Sequence, residues 1–299
     1  MKTTRIFMLT LLAMIAFAGN SLLCRAALKQ TSIDPASFTF IRIFSGAAML
    51  WVIMMTRRYW MVGKSSDASR VIRHSSLRQS GNWPSALALF VYAAAFSFAY
   101  SSLSAGTGAL LLFGAVQATM ILWGLSQGER LHAVQFAGLA LALSGLVLLL
   151  LPGLSAPPLV GSSLMLGAGV AWGIYSLRGK QSGDAVAATA GNFLRAVPLA
   201  LVISISLFPW ASVDQAGIVY AVISGAIASG LGYVIWYSAL PGLKAASAAT
   251  VQLSVPVLAA TGGILLLGES LTLRYAFASI AVLGGIALVV IEKQLTRKT

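Results

Sequence analysis

A chain of 299 residues that is 58% hydrophobic and 9% charged, with a mean hydropathy of +0.88, is not a soluble domain, which carries about a quarter charged residues. The formal charge of +13 lies in short segments between apolar runs, where it orients a protein in a bilayer, so nucleic acid is excluded as a partner. Cys24 is the single cysteine, and no intrachain disulfide can form.

Charge-poor runs occupy about residues 5–24, 36–56, 84–104, 106–126, 132–151, 158–177, 186–208, 215–237, 245–267 and 274–291. Each is long enough to cross a bilayer as a helix, so ten spans are expected and the fold class is an all-α membrane protein. The first run follows Lys2 and Arg5 and contains Ala16-Phe17-Ala18, the pattern of a secretory signal peptide. A repeat described below gives that run a partner and argues that it is retained as span 1. It carries Asn20 and Ser21. Span 2 carries Arg42, a cation inside an apolar run and by default a functional residue, unless it snorkels or satisfies freed carbonyls. Residues 57–82 hold six Lys and Arg and read as a solvated basic loop.

In span 3, Tyr92, Phe96 and Tyr100 recur every four residues and share one helical face. Span 4 offers Gln117 and Thr119. Span 6 offers Trp172 and Tyr175, with Gly169 and Gly173 spaced for close helix contact. Trp172 lies deep in its span and is the best single aromatic candidate, whereas Trp60, Trp210 and Tyr220 read as interfacial belt residues. Span 7 holds Asn192, Arg195 and Pro198. The proline frees the carbonyl of Leu194, which favours a structural role for Arg195. Span 8 offers Gly225, Ser229 and Gly230, then Tyr233, Trp236 and Tyr237. In span 9, Pro256 releases the carbonyl of Gln252, so an amide and a free carbonyl meet at an expected kink.

Polar groups inside spans are costly in lipid unless they face the bundle interior. Asn20, Gln117, Asn192 and Gln252 are therefore either interhelical glue, at about 0.6–2 kcal/mol each, or cavity-lining groups. For Gln252 the adjacent kink favours the cavity, and Gln252 and Trp172 are expected to face one central path.

The chain repeats itself. Arg25 and Arg42 are spaced like Arg178 and Arg195, Phe40-Ile41-Arg42 matches Phe193-Leu194-Arg195, Gly128-Glu129 matches Gly268-Glu269, and Gly145 matches Gly285. Two halves of five spans follow, 1–155 and 156–299. Since five is odd, the second inserts inverted, the architecture of secondary transporters whose sites lie between the halves. Fifteen Lys and Arg fall on the side of the N-terminus and three on the other, which places both termini in the cytoplasm.

Tyr237-Ser238-Ala239-Leu240, then Ala245, Ala248 and Ala249, Pro256, Leu267-Gly268-Glu269 and a last helix with Gly284 and Gly285 resemble the EamA module of the drug/metabolite transporter superfamily. The resemblance spans the chain, with Val116 where the first half would match Pro256. It implies a ten-helix exporter of small amphipathic metabolites, foremost neutral or aromatic amino acids, in a bacterial-type inner membrane, working by alternating access and compatible with a monomer. Expected substrate contacts are Gln252, Trp172, Gln117, Tyr92, Phe96, Asn20, Tyr233 and Trp236. Pro256, Arg42, Arg195, Glu129 and Glu269 are expected to serve conformation or structure, the two glutamates by holding the start of the helix that follows each. No metal-ligand cluster, P-loop or hydrolase triad can be assembled, so no cofactor and no catalysis are expected. The alternatives are a multidrug or quaternary-amine exporter, for which the spans lack an acid, and a non-transporting structural membrane protein.

Overall fold

The computed structural model describes residues 2–62, 80–128, 132–151, 156–179, 184–239 and 251–295. Ten helices run through them: α1 Lys2–Gln30, α2 Pro35–Val62, α3 Trp83–Tyr100, α4 Ala105–Ser126, α5 Ala133–Leu150, α6 Leu159–Gly179, α7 Ala185–Ser206, α8 Gln215–Ala239, α9 Ser254–Leu267 and α10 Leu273–Leu295. No strand occurs among the described residues. The first eight helices are each long and apolar enough to cross a membrane, and α9 and α10 supply two shorter apolar helices.

Helix starts follow local chemistry. Asp34, Asn82, Ser104 and Asp184 each precede a helix and accept hydrogen bonds from its first N–H groups, which have no partner within the helix. The ends of the fourth and ninth helices are closed by Gly128 and Gly268 at positive φ (85° and 63°), where a side chain would be strained. Expected span 3 overran its helix by four residues, because Ser104 caps α4 and needs the chain to turn after Tyr100.

Lipid inverts the usual rule of burial. Large apolar side chains such as Phe7, Ile15, Trp51, Val202, Leu265 and Phe277 stand exposed on the outside of the bundle, while Arg42, Asn20, Ser97, Gln117 and Ser224 are buried within it. Among the eight longer helices α3 is the most enclosed, with 61% of its apolar window buried, and α5 the least, with 28%.

The packing has a two-fold pattern. α1 lies against α8 and α9 as α6 lies against α3 and α4, while α2 meets α7, α4 meets α9 and α5 meets α10. Each of the last three contacts joins a helix to its own counterpart, as a two-fold relation requires. The pairing reaches individual residues: a Cβ on Gly145 would meet the Ala278 carbonyl, and one on Gly285 would collide with the Gly138 carbonyl. Gly285 follows Gly145 by 140 positions and Ala278 follows Gly138 by the same 140, so the two contacts are equivalents of each other. The ten helices thus form two inverted sets of five.

Asp34 joins α2 to the segment before α8. It accepts N–H bonds from Ala36 (2.9 Å) and Ser37 (3.0 Å), and its second oxygen accepts from Ser212 (3.1 Å). Burial alone would push its carboxyl up, but the bonds from Ser37, Ser212 and Ala36 prevail and hold it below the ordinary carboxylate value. Its stabilising effect is therefore complete above the unfolded value, about 3.9, and is lost as pH falls through the lower folded value. Asp34→Ala should cost about 1 kcal/mol at pH 7, read as a lower melting point in detergent. The gap to the parent protein should narrow only below about pH 4; a gap that persists unchanged in acid would exclude the carboxylate as its source.

Candidate functional site

Near the middle of the bundle, α1, α3, α4, α6 and α8 enclose a cavity lined by Phe17, Asn20, Tyr92, Phe96, Trp172 and Tyr233, with Ser21, Leu112, Phe113 and Ala228. Trp172 is the hub. Its ring centroid lies 4.8 Å from Tyr92, 5.0 Å from Tyr233, 5.5 Å from Tyr175 and 6.4 Å from Phe17. Phe17 in turn meets Tyr233 at 5.9 Å and Trp236 at 6.0 Å, edge to face. The rings close on one another and leave room for about one water, so a solute enters only if they part.

The polar floor of this cage comes from four hydrogen bonds. Asn20 Nδ2 donates to the Tyr92 hydroxyl (3.4 Å), and Asn20 Oδ1 accepts from the Ser224 hydroxyl (2.7 Å). Arg42, only 2% exposed, donates through Nη2 to the same Tyr92 hydroxyl (3.1 Å) and through Nε to Ser229 (3.3 Å). The guanidinium lies 4.8 Å from the Phe96 ring centre and 5.3 Å from that of Tyr92, within cation–π range.

The local folding of α8 makes this possible. Residues Ser224–Leu231 form a π-helical turn. In an α-helix, residues five apart point about 140° away from each other. With i→i+5 hydrogen bonding that angle becomes much smaller, and Ser224 and Ser229 both face the site. Gly225 lets α8 rest directly on α2: a Cβ there would collide with the Arg42 carbonyl and the Ser45 hydroxyl.

Of the residues singled out from the sequence, Asn20, Tyr92, Phe96, Trp172 and Tyr233 line this one cavity, and Trp236 stands behind Phe17. Gln117 faces a separate apolar pocket between α4, α5 and α10, lined also by Leu139, Leu146 and Val282, where its Nε2 makes no hydrogen bond. Gln252 is buried but does not line the aromatic cavity. The helix is interrupted at Leu253, three residues before Pro256, and the Ser254 hydroxyl takes the Val251 carbonyl (2.7 Å). α4, with Val116 at the matching place, runs without interruption.

Asn192 accepts from the Asn82 backbone (2.9 Å) and serves the start of α3. Arg195, the repeat mate of Arg42, is half-buried and donates to the Ser80 (2.7 Å) and Gly191 (2.9 Å) carbonyls, not to Leu194. Close glycine packing also follows the expected spacing, Gly169 against the Leu112 carbonyl and Gly173 against Thr119.

At the end of the bundle away from the termini, Gly268 turns the chain so that Glu269 reaches across to two other helices. Its carboxylate pairs with Arg25 Nε (2.9 Å) and accepts the Ala105 N–H (2.8 Å). Arg25 also donates to the Tyr100 carbonyl (2.9 Å). Glu269 therefore caps the start of α4, a helix of the other half, where a carboxylate is favoured by the dipole, and not the start of α10 as the Gly-Glu pattern suggested. Glu129 lies outside the described residues.

Sequence reasoning missed Phe17, Ser224 and the site role of Ser229. A Gly- and Ser-rich run in mid-span, SGAIASG, was the available signal for the two serines.

Tyr92→Phe should leave the Arg42 and Asn20 donors without their acceptor while keeping the ring. The cost expected is about 1–3 kcal/mol, measured as a lower melting point in detergent. An unchanged melting point would mean that water replaces the hydroxyl.

A model of the EamA-like transporter family matches residues 159–291. The chain is 57% identical to the uncharacterized protein PA1977 of Pseudomonas aeruginosa over 289 residues, 97% of this chain and 96% of that one. It is 36% identical to the threonine/homoserine exporter RhtA of Escherichia coli over 148 residues, 46% of this chain and 48% of that one. A solved structure described only as "Crystal structure of protein" shares the fold, with a TM-score of 0.64 at 18% identity across 99% of both chains.

Proposed function

Since this chain belongs to the EamA-like transporter family, we propose that it is a secondary transporter exporting small amphipathic metabolites, amino acids foremost, by alternating access. The observation that carries this reading is the cage itself. Rings and a few fixed polar groups contributed by helices of both halves meet at one point deep in the bundle, the place expected of a transport site. The relative named as a threonine/homoserine exporter supports amino acids as cargo. We assign the halves to 1–155 and 156–299, and the surroundings to a bacterial-type inner membrane with both termini cytoplasmic, from the fifteen-to-three excess of Lys and Arg.

An aromatic cage also suits a quaternary ammonium, the cargo of a multidrug exporter. Arg42, packed against the Tyr92 and Phe96 rings of its wall, repels such a cation, and the acids among the described residues, Asp34, Asp184, Asp214, Glu269 and Glu292, all lie at helix ends. The same distribution leaves no carboxylate in mid-span to carry a proton, so the substrate's own gradient is the driving force in this reading.

The test is protein in liposomes loaded with labelled amino acids. Neutral and aromatic ones should leave faster than from protein-free liposomes, at a rate that an imposed pH difference does not alter at clamped voltage. Uphill efflux that follows the pH gradient and vanishes in Glu269→Gln would replace this mechanism with proton coupling at Glu269.

A further inference from the structure

We propose that Arg42 is the receptor for a carboxylate of the substrate, so that the transported class is an amino acid or other organic acid with an apolar body, and not an amine. This rests on the reading of the aromatic cage as the substrate site.

Three observations lead here. First, Arg42 is a fully buried cation, and among the described residues no carboxylate forms an ion pair with it. Glu269 is paired with Arg25, Asp184 lies 3.6 Å from Arg57, Asp34 and Asp214 stand at the starts of α2 and α8, and Glu292 stands in the last turn of α10. Second, the guanidinium is only partly satisfied. Nε and Nη2 are held by Ser229 and Tyr92, which fixes the plane of the fork, while Nη1 is buried without a hydrogen bond. A planar guanidinium whose remaining donor is oriented in advance is matched by a carboxylate oxygen, and the pairing is charge-assisted. Third, a second buried group without a partner, the Tyr233 hydroxyl, belongs to the same cage. Two unsatisfied polar groups beside one cavity are what a polar ligand would complete.

Arg195 occupies the equivalent place in the other half, yet it is tied to the backbone carbonyls of Ser80 and Gly191. One arginine of the pair has become a structural clamp. The other keeps a donor in reserve, surrounded by Tyr92 and Phe96, whose rings also line the cavity. Those rings would take the apolar part of the same molecule.

The experiment measures equilibrium binding to the intact protein in detergent by calorimetry, using matched pairs that differ in the carboxylate. L-phenylalanine and 3-phenylpropanoate are set against 2-phenylethylamine, and L-threonine against 1-amino-2-propanol. Carboxylate ligands should bind at least about tenfold more tightly than their amine counterparts, the factor expected of one charge-assisted hydrogen bond. Arg42→Gln should abolish that preference, and Arg42→Lys should restore part of it. The ligand pairs use the unaltered protein, so the test survives a variant that fails to fold. Equal binding of acid and amine, or no binding of any carboxylate, would overturn the assignment. Carboxylate preference without efflux from liposomes would remove the transport reading and leave the anion site. Efflux without carboxylate preference would do the reverse.

Discussion

The Tyr92 hydroxyl is the contact on which the centre of this protein depends. It accepts from Asn20 on α1 and from Arg42 on α2, while its own ring lies tilted against Trp172 on α6. Through the serine partners of those two donors it also reaches α8. One oxygen thus gathers four helices around a charge that lipid would not accept. A buried cation without a carboxylate is stabilised by hydrogen bonds from its donors and by polarizable surroundings. The hydroxyls of Tyr92 and Ser229 meet two of the donors, and the ring faces of Tyr92 and Phe96 supply the surroundings.

The second constraint acts at one end of the bundle. Glu269 binds Arg25 and the first N–H of α4, and Arg25 binds the last carbonyls of α3 at Tyr100 and Ser101. Four helices, α1, α3, α4 and α9, are therefore joined by one ion pair and its backbone contacts. Both side chains are largely buried, so screening by water is weak and the junction is firmer than a surface pair.

Inverted symmetry gives the protein two copies of each device, and the copies have diverged where it matters. Gly145 and Gly285 still make reciprocal contacts, because close packing of α5 on α10 tolerates no side chain in either place. Arg42 and Arg195 do not make reciprocal contacts. The α-helix also gives way in only one member of two pairs: at the π turn of α8, and at Leu253 ahead of Pro256. Such breaks free backbone groups and redirect side chains, which membrane proteins permit where the irregular stretch faces protein or water.

Hydropathy by itself was enough for ten helices, since lipid demands long apolar runs whose backbone bonds close internally, and the spans at 106–126 and 158–177 differ from α4 and α6 by at most two residues at either end. The matching arginines and Gly-Glu pairs made the inverted halves legible for the same reason, because a duplicated unit keeps its charge spacing. The four-residue period of Tyr92 and Phe96 and the depth of Trp172 were also readable, as they depend on one helix at a time. Membership of the cage was not. Gln117 and Gln252 looked as good as Asn20 along the chain, yet only Asn20 lies on a face that meets α3 and α8 together. Ser224 and Ser229 fall on one side only because the helix widens into a π turn, and Arg42 differs from Arg195 only through what surrounds it. Each of these depends on which helices meet, and a one-dimensional pattern of polarity records the cost of a buried group without recording its partner.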